Sequence, residues 1–80
     1  MEWKPDKDQL IELVHCRMPF GKYKGYYLLD LPEAYLLWFR QKGFPDSKLG
    51  RHLQQMLEIK MNGLESILRK IQKDFPGDSL

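Results

Sequence analysis

The chain has little of several things, and each shortage excludes a class of protein. It has one cysteine, Cys16, in 80 residues, so no internal disulfide can hold it together. No run approaches the roughly 18 apolar residues that a membrane-spanning helix needs, and Met1 to Asp8 alternates charge instead of forming a signal-peptide core. These features lead to the expectation of a cytoplasmic protein with no membrane association. A chain of this size buries only about 60% of the surface it exposes when unfolded, which leaves little room for a large catalytic cavity. Repeats, low-complexity segments and linkers are also missing, and a single domain over 1–80 is expected.

Net charge is small as well, +2, but it is unevenly placed. Lys4 and Lys7 oppose Glu2, Asp6, Asp8 and Glu12 in the first 16 residues, and residues 53–80 balance. Between Arg17 and His52, seven bases (Arg17, Lys22, Lys24, Arg40, Lys42, Lys48, Arg51) face only Asp30, Glu33 and Asp46. The middle of the chain is the basic part, and local charge governs association with anions.

Hydrophobic spacing predicts the elements. Asp6 and Gln9 suit a helix start over 6–16, with Leu10, Leu13 and Val14 as its apolar face and Pro19 beyond its end. In 18–29, dense aromatics and Gly21 and Gly25 around Lys22-Tyr23-Lys24 predict a two-stranded antiparallel hairpin. Pro32 opens an aromatic-rich helix over 32–42, closed by a Schellman cap with Gly43 left-handed, Phe44 against Phe39, and Pro45 next in the chain. Asp46 or Ser47 caps a helix over 47–73, on which Leu57, Met61, Leu64, Leu68 and Ile71 form a heptad-like seam. That helix is expected to be continuous or kinked, projecting a face for a second copy of the chain; a break at Asn62-Gly63 would let its halves fold back. Residues 74–80 read as a frayed tail. The sum is a small α+β domain.

Candidate chemistry concentrates in the hairpin. Phe20, Gly21, Lys22, Tyr23, Lys24 and Gly25 combine cations that neutralise phosphates, glycines that admit close approach, and rings that stack on bases. This suits a single strand or a strand end. Lys22 and Lys24 are assigned to phosphates and Tyr23 to stacking, with Trp38, Phe39 and Phe44 as supporting core. The bland alternative puts the aromatics in the core and the lysines in solvent. A P-loop does not fit, because the glycine spacing is too short and no hydroxyl follows the lysine.

Other groupings are weaker. Glu12, His15 and Cys16 offer at most two ligands to one metal, so no metal site or other cofactor is expected. Cys16 and His15, adjacent on a helix, point about 100° apart and make a poor nucleophile and base. Asp30 and Glu33 are explained by the helix start they share. Arg40, Lys42, Lys48 and Arg51 read individually as solvated residues, or as an extension of a phosphate-tracking surface. No constellation suggests an enzyme.

The residues Met-Pro-Phe-Gly-Lys-Tyr-Lys-Gly at 18–25, Asp30-Leu31-Pro32, Tyr35-Leu36, Trp38-Phe39, Lys42-Gly43-Phe44-Pro45, Leu49-Gly50 and Ile59 to Leu64 resemble a short bacterial family of unknown function described as putative quorum-sensing-regulated virulence factors. The likeness spans about residues 17–70. The first half is also similar to the small C-terminal module that comes after the nuclease domain in exodeoxyribonuclease-X-like enzymes. That second resemblance implies a DNA-contacting accessory role and adds Tyr35 and Trp38 to the implied site. It does not carry catalysis over, since neither the nuclease domain nor its acidic metal cluster is in this sequence. A protein-interaction module working through the Leu57 to Ile71 seam is the competing expectation.

Overall fold

The computed structural model describes residues 7–75. Among these it contains α1 (Lys7–His15), a 3-10 turn (Leu28–Asp30), α2 (Glu33–Lys42), α3 (Lys48–Met61) and α4 (Glu65–Asp74). Asp6 and most of the expected tail lie outside the described residues. Helix α4 packs on α1 and α3 on α2, while the 3-10 turn touches α1, α3 and α4 and so sits at the centre of the arrangement. No described helix is long and apolar enough to cross a membrane.

The expected α+β class is overturned: the fold is all-helical, with no strand among the described residues. In place of a hairpin there is one antiparallel bridge, Arg17 to Tyr27. The Met18 amide donates to Tyr26 O (2.8 Å), Gly25 N to Met18 O (2.8 Å) and Leu28 N to Cys16 O (3.0 Å). The pairing goes no further, because Pro19 has no N–H to continue it and Leu28–Asp30 coils into the 3-10 turn. Gly21 and Gly25 have φ of 79° and 88°, a region unfavourable for other residues, and between them 21–26 folds through two turns, Lys24 N to Gly21 O and Tyr26 N to Tyr23 O. The segment is a closed loop.

The expected long helix is also corrected, to two helices. Gly63 takes φ of 69°, Leu64 N donates to Ile59 O (3.0 Å) and Gly63 N to Lys60 O (3.2 Å). That is the paired bond pattern of a Schellman cap, which ends α3 and turns the chain back. At Gly43, where the sequence predicts such a cap, φ is positive but ψ is 122°, and a single bond from Gly43 N to Phe39 O (2.8 Å) remains. The expected ring contact is made all the same, Phe44 lying parallel to Phe39 with centroids 6.4 Å apart.

Local chemistry explains the other ends. Ser47 caps α3, its hydroxyl accepting from Gly50 N. Pro32 stands just before α2 in extended conformation. Three polar ties hold α4 down. Gln72 donates to Val14 O (2.7 Å), Arg69 pairs with Asp30 (2.8 Å), and the largely buried Lys60 ammonium bonds both Leu29 O (2.8 Å) and Glu65 (2.9 Å). The core is aliphatic, built on Leu13, Val14, Leu28, Leu36, Leu53 and Met56. Of the described rings, only Phe39 is buried.

Candidate nucleic-acid interface

The loop after α1 and the outward side of α2 form one surface. Tyr23 and Tyr35 are half-buried and packed against the core, with their rings edge to face at 4.6 Å. Tyr26 leans on Tyr23 (5.4 Å) and Trp38 lies parallel to Tyr35 (6.3 Å, 6° between planes). Four rings thus run in contact from loop to helix, the inner pair supporting the outer pair. The outer rings are open: Tyr26 is 52% exposed, Trp38 49% and nearby Phe20 47%. Gly21 lies beside the Tyr35 hydroxyl, close enough that an added Cβ would come within 3.6 Å of it.

The cations flank the rings. Lys22 Nζ lies 5.5 Å from the Tyr23 centroid, a cation–π contact, and Lys24 is exposed. Neither pairs with a carboxylate among the described residues. Arg17 is committed to the loop itself, its guanidinium over the Tyr27 ring (4.3 Å), donating to the Tyr27 hydroxyl (2.8 Å) and to Gly25 O. It braces the loop's base.

The structure therefore brings together Phe20, Gly21, Lys22, Tyr23, Lys24, Gly25, Tyr35 and Trp38, but exchanges two roles. Tyr23, expected to stack outward, is a supporting ring, and Trp38, expected in the core, is displayed. Tyr26 completes the surface. Period-2 reasoning on a hairpin could not find it, because the loop has no alternating faces.

The seam residues do not form one face. Leu57 and Leu68 are buried and Ile71 packs on the core, whereas Met61 and Leu64 are exposed together with Ile67. Met61 is the last residue of α3 and Leu64 lies in the turn after it, so both stand at the corner, while Leu57 within α3 and Leu68 within α4 face the core.

Sequence spacing also missed a pairing between distant segments. Cys16 Sγ lies 3.1 Å from His52 Nδ1, 36 residues away, while adjacent His15 bonds Phe75 O instead. Burial pushes the Cys16 thiol up from its ordinary value, aided by the Glu12 charge, and burial pushes the His52 imidazole down. Both shifts favour neutral forms. The adjoining Glu12 and Lys48 form an exposed ion pair, and that contact is what lowers Glu12 and raises Lys48. No group of three or more His, Cys, Asp or Glu able to hold a metal occurs among the described residues.

Two Escherichia coli proteins, from strain K12 and from O157:H7, are each called uncharacterized protein YpeB; each is 51% identical over 69 residues, covering 85% of this chain and 96% of its own length. No solved structure matches. The family model described as "Putative quorum-sensing-regulated virulence factor" matches residues 6–71, and the chain belongs to that family.

Proposed function

We propose that the protein is a non-enzymatic nucleic-acid-binding module, accessory or regulatory, that takes a single strand or strand end on the loop and α2. One observation carries this reading: Phe20, Tyr26 and Trp38 stand about half exposed on the loop and α2, and the same loop carries Lys22 and Lys24, whose ammonium groups have no acidic partner among the described residues. Unstacked bases are available in single strands and at ends, and rings can receive them there. Lysines track the phosphates, and the two positive-φ glycines shape the tip. Tyr23 and Tyr35 support the outer rings, Tyr26 and Trp38, from beneath.

The test is a titration of labelled single- and double-stranded oligonucleotides over a salt series. Trp38→Ala should cost about 1–3 kcal/mol of single-strand affinity, the usual worth of one stacked base. Equal affinity of wild type and this variant would count against the proposal. Self-association is the second reading, favoured by the exposed Met61, Leu64 and Ile67. Sedimentation over a concentration series tests it, and a monomer at every concentration would remove it.

A further inference from the structure

A separate surface lies between α2 and α3, where an open groove of about 900 Å³ runs along α3. Its floor is apolar, made by Phe44, Leu57 and Met61. The α3 residues along it, from Arg51 through Gln54, Gln55 and Glu58 to Met61, keep helical spacing and cover about 15 Å at 1.5 Å per residue. Cations stand at both ends. Arg51 is at one, and Arg40, whose Nη1 is 3.9 Å from Met61 Sδ, is at the other. Neither guanidinium meets a carboxylate among the described residues.

We propose that this groove docks an acidic amphipathic helix of a partner protein, about three turns long, with its apolar stripe on the floor and its carboxylates on Arg40 and Arg51. The separation of the arginines decides the occupant's length, because one small anion cannot reach both. The floor decides its character. The Glu58 carboxylate, which Asn62 holds at 3.5 Å, lines the groove one turn before Met61 and disfavours any anion laid beside it, phosphate or carboxylate; a nucleic-acid backbone carries a charge at every step and would lay phosphates there and over Phe44 and Leu57. A helix with acids only near its ends meets the cations and leaves the middle apolar. Arginine at the margins of an apolar strip is also what protein interfaces favour.

The probe is a fluorescein-labelled helical peptide of roughly twelve residues, leucine along one face and glutamate near both ends, compared with the same peptide carrying lysine at those ends. Binding is read by anisotropy, and its location by the amide resonances of Gln54 and Gln55. The glutamate peptide is expected to bind and shift those resonances. Arg40→Glu/Arg51→Glu, both surface changes checked by circular dichroism, should weaken it at least about tenfold and transfer preference to the lysine peptide. Absence of binding, equal binding of both peptides, or shifts confined to residues 20–26 would overturn the proposal. Displacement of the peptide from Gln54 and Gln55 by a single-stranded oligonucleotide would also overturn it, in favour of nucleic acid in the groove.

Discussion

The interior of this domain and its loop–α2 rim are built from different side chains. Leucines, with Val14, Met18, Met56 and Ile59, fill the interior, and Phe39 is the only described ring buried there. The rim holds Tyr23, Tyr26, Tyr35 and Trp38, which touch in series and rest on the interior through Tyr35 and Trp38, each edge to face with Phe39 at 5.1 Å. Each buried leucine contributes about 1.5–3 kcal/mol by leaving water. The exposed rings contribute much less to folding.

Core and rim should accordingly respond differently to substitution. The largest effect is expected at Gly50, inside α3, where an added Cβ would fall 1.7 Å from Pro45 O. Backbone cannot step aside as a side chain can, so Gly50→Ala should lose about 3 kcal/mol or more in urea unfolding. Leu53→Ala, fully buried, should lose about 2–5 kcal/mol, whereas Trp38→Ala should lose under about 1 kcal/mol; equal losses would dissolve the distinction between core and rim. Lys60→Ala tests the corner between α3 and α4. It leaves Leu29 O and Glu65 without their donor and should lose about 1–3 kcal/mol.

The smallest effect is a dependence on pH at the Cys16–His52 contact. Burial holds His52 below its ordinary 6.5, so the unfolded chain binds a proton there first, and stability falls as pH drops from 6.5 through the folded value. Burial holds Cys16 above its ordinary 9.0, so the unfolded chain loses that proton first, and stability falls as pH rises from 9.0 through the folded value. Stability from this pair is therefore greatest between those limits. Urea midpoints of the wild type and His52→Gln across this range check it, since the substitution should flatten the acid side.

How much of the molecule is legible in its amino acids depends on the reach of the interactions involved. The end of α2 is local chemistry, and Gly43-Phe44-Pro45 marks it; Ser47 likewise marks the start of α3. Aromatic density with two glycines correctly located a turn but not its class, because a ladder forms only if the residues on both sides of the turn stay extended. Leu28 and Leu29 are instead drawn into the core through a 3-10 turn, and the tertiary demand for their burial overrides strand propensity. Asn62-Gly63 was ambiguous for a related reason: a glycine inside a helical pattern either weakens the helix or ends it, and here the packing of α4 on α1 rewards the reversal. The Cys16–His52 contact spans 36 residues and leaves no periodic trace. At the candidate surface Tyr23 turned inward because a loop does not alternate its faces as a strand does, and Trp38 turned outward because α2 points Leu36 and Phe39 into the core.

The most direct measurement is the salt dependence of single-stranded oligonucleotide binding by the wild type and by Lys22→Ala/Lys24→Ala, with urea unfolding in parallel. If the two ammonium groups contact phosphates, the slope of log K against log salt should shrink by about 1.4, at about 0.7 per phosphate, with stability unchanged within about 0.5 kcal/mol. An unaltered slope, or no salt-dependent binding by the wild type, would contradict the assignment of this surface to nucleic acid.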